Sequence, residues 1–112
     1  MSGIASIYAT FASDEEARRI GRVLVEERLA ACVNILGQCH SIYRWQGRIE
    51  EASEVAAIFK VAADQAELAL KRIAELHSYD VPAAVIWPIA DALGDYARWV
   101  AAEVPDKASG TL

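Results

Sequence analysis

Few side chains in this 112-residue sequence could take a metal ion or move a proton. Cys39 and His40 are adjacent, Cys32 lies seven residues earlier, and His77 opens a His-Ser-Tyr-Asp run ending at Asp80. Thiolate and imidazole are ligands for soft and borderline metals. Neighbouring residues of a strand face opposite sides, so Cys39 and His40 cannot easily chelate one ion within one chain. Cys32, inside an apolar run, reads as a small buried residue. His77, before a turn, could hydrogen-bond, meet a neighbouring subunit or hold a metal. Glu54 and Lys60 fall on one face of a strand, where they could be cross-strand charge partners or line a cleft. Asp80 and Tyr79 could pair with His77, but no nucleophile stands beside a base, so catalysis is not expected. Tyr43, Trp45, Tyr79, Trp87 and Trp99 exceed what one small core needs. They suit a core with a subunit interface, or an apolar cleft between subunits for a small ligand.

The elements that must position these residues centre on Leu29 to Gly47, LAACVNILGQCHSIYRWQG. It is β-branched, aromatic and uncharged as far as Arg44, and longer than the usual strand of about 5–6 residues. Gly37 marks a bend. Beyond it Ile42 and Arg44 share one face, and Ser41, Tyr43 and Trp45 the other. Gln46-Gly47-Arg48 reads as a hairpin turn into a strand over Ser53 to Val61. Arms of this length overhang a small domain and call for a partner.

Ile4 to Phe11 reads as a first strand. Ser13-x-x-Glu16 is a capping box opening a helix to about Arg28. Glu15, Glu16, Arg18 and Arg19 read as its solvated face. Asp64-x-x-Glu67 repeats the capping pattern before a helix over Gln65 to Leu76. Ala83 to Ile89 is a fourth strand that Pro88 confines to an edge or a strand end. Leu93 to Glu103 is a terminal helix, and 105–112 reads as a frayed tail. The order is the βαββαβ of an α+β, ferredoxin-like fold with an extra C-terminal helix, in one domain over 1–112.

The net charge of −5 argues against nucleic acid, which calls for a basic stripe. No apolar run approaches the ~20 residues of a membrane span, and no basic segment opens a signal peptide. The cysteines would lie roughly 20 Å apart on an extended run, too far for a disulfide, so a reduced cytoplasmic protein is expected. Hydrophobic residues make up 54% of the chain, an excess that suggests an oligomer interface.

Several strings together resemble one family. Leu29-Ala30-Ala31-Cys32-Val33-Asn34-Ile35 is the most telling, followed by Ser41-Ile42-Tyr43-Arg44-Trp45-Gln46-Gly47. Glu54 with Lys60, His77-x-Tyr79-Asp80-Val81-Pro82 and Tyr96-x-x-Trp99 complete the set. In this order they resemble the CutA family of divalent-cation tolerance proteins, over about Ala5 to Val104. The resemblance implies a stable homotrimer of ferredoxin-like subunits, with hairpins paired edge to edge as in PII signalling proteins. It also implies a role in tolerance of copper or other divalent metals, with copper bound in some members, and no established enzymatic activity.

This chain departs from the family's pattern at the metal ligands. Many members have Thr-Thr-Cys-Pro where Ala9-Thr10-Phe11-Ala12 stands here. Some end the second helix with two histidines where this chain has Leu76 and His77. Phe11 and Leu76 are not ligands, so His77 is the one candidate left of a thiolate-and-two-imidazole copper site. Gly37-Gln38 replaces the usual Pro-Gly, and Ser78 the usual Pro. A threefold axis would also bring together three copies of Cys39 or of His40. The resulting expectation is a cytoplasmic trimer answering divalent metals, with weak or indirect metal contact. The alternatives are a PII-like trimeric sensor with a small ligand at inter-subunit clefts, or a trimeric scaffold for a partner protein; Cys39, His40, Tyr43, Trp45, Glu54, Lys60, Tyr79, Trp87 and Trp99 are the residues expected at such a cleft or at the interface.

Overall fold

The structure, a computed structural model, describes residues 2–105. Most of the expected tail, 106–112, lies outside the described residues. The strands are β1 (Ile4–Phe11), β2 (Cys32–Trp45), β3 (Arg48–Ala62) and β4 (Ala84–Pro88). The helices are α1 (Asp14–Glu26), α2 (Ala66–Leu76) and α3 (Gly94–Glu103), and a short 3-10 turn (Ala63–Gln65) leads into α2. One antiparallel sheet runs β2-β3-β1-β4, the ferredoxin-like order. As its proline requires, β4 is an edge strand, and Pro88 is its last residue.

Alternation along the strands makes two unlike faces. Ile7, Ala9 and Phe11 of β1 and Ala57, Phe59 and Val61 of β3 turn one way and are fully buried against Ala17, Ile20 and Leu24 of α1 and Ala69 and Ile73 of α2. The opposite face is covered only at one end. There Val100 and Val104 of the α3 segment pack on Ile4, Ala31 and Ala62 of the same chain, with Arg28 reaching Glu103 at 3.3 Å.

The hairpin is longer than expected. β3 begins at Arg48, because Gln46 and Gly47, both at positive φ, make a tight two-residue turn of the kind that matches strand twist. Gly37, at φ 101°, sits at the bulge where the β2 register shifts. The shift sets odd residues 37–45 on the face shared by Glu54 and Ala56, with Ile42 and Arg44 opposite, as the alternation predicted. β1 pairs only with Val55 to Ala62, so Arg48–Glu54 and their β2 partners project beyond the sheet.

Two local expectations need correcting. Asp64 does not cap α2: the 3-10 turn precedes it, and the N-cap position, Gln65, makes no side-chain capping bond. Glu16 is not on a solvated face but 6% exposed, for reasons given below.

The seam between α1 and the sheet is closest at Gly21, where an added Cβ would lie 2.7 Å from Val33 Cγ1. Valine is stiff about χ1 and cannot swing clear. Alanine would gain about 1 kcal/mol of helix propensity, against about 1–3 kcal/mol for overpacking. Gly21→Ala is therefore expected to lower stability by about 1 kcal/mol in urea unfolding. The loss should shrink in a Val33→Ala background, because the two sites are in contact.

Candidate functional site

Two linked features lie where the overhanging hairpin leaves the sheet. The first is a buried polar knot under the end of β1. The Ser13 hydroxyl accepts the Glu16 N–H at 3.1 Å, as a capping box should. The Glu16 carboxylate does not return to Ser13. It accepts the Ala12 N–H at 3.1 Å and, from 62 residues away, the Ser78 N–H at 2.7 Å. Burial pushes its pKa up, but hydrogen bonds from the Ser78 hydroxyl and N–H and from the Ala12 N–H outweigh burial and hold it below the ordinary 4.5.

His77 completes the knot. Its Nε2 lies 2.8 Å from the Thr10 carbonyl oxygen, and its Nδ1 accepts the Tyr79 N–H at 3.1 Å. A carbonyl can only accept and an N–H only donate, so the ring is the Nε2–H tautomer with no lone pair to spare. Nδ1 is 3.9 Å from Glu16 Oε2, a proximity and not a hydrogen bond. The side chain has no exposure, and its ring stacks on Phe11 at 5.0 Å and tilts against Tyr79 at 4.7 Å. The aromatic ring of Phe11 thus fills the space beside His77, and Leu76 packs on the core. These residues as placed do not fit a metal at His77. Among the described residues no three His, Cys, Asp or Glu side chains are grouped to hold one.

The second feature is a groove of about 610 Å³ on the open face, beside the knot. Tyr43 and Trp45 of β2, Glu54 of β3 and Tyr79 after α2 line it. Thr10, whose carbonyl holds His77, and Asp80 are lining residues too. The Tyr79 hydroxyl donates to Glu54 Oε2 at 2.8 Å. Burial and that carboxylate push the Tyr79 pKa up to about 12, so it stays a donor at neutral pH.

The groove therefore gathers Tyr43, Trp45, Glu54 and Tyr79 but separates them from the other candidates. Lys60, six residues along β3, pairs with Asn34 Oδ1 at 3.4 Å and not with Glu54. Trp87 stacks on Tyr8 at 4.8 Å elsewhere on the open face, and Trp99 lies by Tyr96 on α3. His40 is on the other face of β2, 2.6 Å from Glu51, and Cys39 faces Glu54 across the ladder. Both cysteines are free. The Cys32 sulfur lies 3.5 Å from the Tyr96 hydroxyl. Glu16 had only its capping signal in the sequence, and Thr10 had none as a groove residue.

Residues 5–103 match the family model described as CutA1 divalent ion tolerance protein. The chain belongs to the CutA1 family. It is 43% identical over 94 residues to the divalent-cation tolerance protein CutA of Thermus thermophilus, covering 84% of this chain and 91% of that one. Identity to the CutA of Pyrococcus horikoshii is 42%, over 87% of this chain and 94% of the relative. The chain spans only 63% of the zebrafish CutA homologue, which is longer. Among solved structures, CutA from Xylella fastidiosa superposes with a TM-score of 0.89 at 37% identity, over 92% of this chain and 99% of that one. A structure described as the periplasmic divalent cation tolerance protein CutA from Archaeoglobus fulgidus matches at 0.88 and 36%, over 91% and 99%. The family is named for tolerance and not for an enzyme. No helix among the described residues is long and apolar enough to cross a membrane.

The knot gives a pH-dependent prediction. The Glu16 pKa is depressed in the folded state, so its contribution is present above its unfolded value near 4.5 and is lost as pH falls through the lower folded value. Glu16→Gln is isosteric but turns an NH₂ towards one of the two backbone N–H groups. It should cost about 2 kcal/mol at pH 7, and the gap to wild type should narrow steadily below pH 4.5 in urea melts. A gap that is constant with pH would mean that the charge is not what the knot uses.

Proposed function

We propose that this CutA1-family chain works as a cytoplasmic homotrimer in the response to divalent metal ions, with weak or indirect contact to copper or another divalent metal. The unpartnered half of the hairpin carries this reading. Ile42, Tyr43, Trp45 and Ile49 are all exposed there, and the segment has no third strand. A two-stranded ribbon is marginal alone in water, and an apolar free edge is a template for pairing. Three hairpins joined edge to edge around a closed axis would satisfy the backbone and cover those side chains. Trp87 and Val85, also exposed on the open face, would be covered by the same assembly.

The family name supports the metal role. With both nitrogens of His77 engaged, direct contact would fall instead on hairpin residues, the exposed His40–Glu51 pair and the half-buried Cys39, which threefold symmetry multiplies. No nucleic-acid or membrane partner is part of this reading. The groove favours a second reading, a trimeric sensor that takes a small ligand.

Native mass spectrometry with and without copper(II) tests the proposal. The protein should appear at three times the chain mass, and Ile42→Asp should release monomer. Copper should add weakly, and less so in His40→Ala. A wild-type monomer at micromolar concentration would remove the trimer. Tight stoichiometric copper that disappears in a folded His77→Gln variant would overturn the account of the metal.

A further inference from the structure

His77 and Glu16 meet inside a single subunit. The His77 side chain has no exposure within its own chain, so assembly with other copies can bury it no further. Its ring carries one proton and uses both nitrogens, with Nε2–H on the Thr10 carbonyl and Nδ1 accepting the Tyr79 N–H. Only the neutral ring can do this. A second proton makes Nδ1 a donor, and two donors, Nδ1–H and the Tyr79 N–H, cannot share a hydrogen bond.

An acceptor for that proton is already in place. Glu16 Oε2 stands 3.9 Å from Nδ1, about 1 Å more than the length of a charged hydrogen bond. A carboxylate has about four acceptor sites, and the Ala12 N–H with the Ser78 N–H and hydroxyl leave room for one more donor. Because its pKa is held below 4.5, Glu16 is still ionised at pH 5. The other ionisable groups around the ring are placed differently. Arg19, on α1, is half-exposed and 4.0 Å from the same Glu16 oxygen. β1 offers only Tyr8, which stacks on Trp87, and β4 has no ionisable side chain. The last charged residue of α2, Glu75, pairs with Arg72. Glu54 of β3 meets the Tyr79 hydroxyl, while Tyr43 of β2 and Asp80 of the turn line the groove beyond it.

We infer that His77 is an acid-sensitive latch: when its ring takes a second proton from solvent, Nδ1–H leaves Tyr79 for Glu16 and the turn of residues 77–80 is released. Histidine is the side chain that serves such switches near neutral pH. Tyr79 places its hydroxyl on Glu54, so freeing its N–H also loosens the tie between this turn and β3. The latch needs neither a metal nor a partner subunit, and it goes beyond the metal response proposed above.

NMR-resolved amide exchange from pH 8 to pH 5, corrected for the intrinsic pH dependence of exchange, tests the latch. Sedimentation velocity at each pH follows the assembly. Protection of the Tyr79 amide should fall at least about tenfold towards pH 5, while the β1 amides keep theirs. Over the same interval the ¹⁵N shifts of the His77 ring should pass from the Nε2–H tautomer to the doubly protonated form. Glu16→Gln removes the charged acceptor and should move both changes to lower pH. A ring that stays singly protonated at pH 5, or Tyr79 protection that is constant while the ring protonates, would overturn the proposal. So would a loss of protection that only accompanies dissociation of the assembly, or the same pH dependence in a folded His77→Gln or Glu16→Gln variant.

Discussion

β3 has 15 residues and β1 has eight, and much of the molecule follows from that mismatch. Where the two strands run together, the sheet is backed by helices and its core is dry. Where β1 stops, β2 and β3 continue as a two-stranded ribbon beyond the sheet. The extension draws the described residues out to 47 Å along their longest axis, against 29 and 24 Å across. It also makes the groove, whose one wall is the ribbon and whose other wall is the turn after α2. A shorter hairpin would lack both the exposed apolar residues that call for partners and the Tyr43–Trp45 wall.

The polar knot holds the other wall in place. Glu16 joins the start of α1 to the residue after His77, and His77 ties that turn to the last residues of β1. Tyr79 follows directly, with its N–H on His77 and its hydroxyl on Glu54. Two sets of hydrogen bonds, joined through the backbone of residues 77–79, thus link the α1 cap to the groove floor. Such buried networks stabilise only when every member is satisfied. Both ring nitrogens of His77 are taken up in this structural work, and Phe11 packs against the ring.

What could be read from the sequence was what short-range chemistry controls. Ser13 announced a helix start, Gly37 a bend, Gln46-Gly47 a turn and Pro88 a strand end, because each acts through its own backbone or one a few residues away. The start of β3 was missed because RIEEA, residues 48–52, has the polar composition of a loop, and only pairing with β2 makes it a strand. Glu16 looked like one charge among four on a wet helix face. Its burial depends on Ser78, which no local pattern links to it. The groove combines β1, the hairpin and the turn after α2, so its aromatic residues could be singled out by type, but their separation from Lys60, Trp87 and Trp99 could not. Asp64 failed as a cap because the chain tightened into a 3-10 turn first.

The most direct test of the claim that the projecting ribbon is held by partner copies is hydrogen–deuterium exchange across the hairpin, residues 39–54. If the free edges are paired between subunits, these amides should be protected nearly as well as those of β1 in the sheet core. Exchange as fast as in an isolated two-stranded ribbon, with β1 still protected, would contradict the claim.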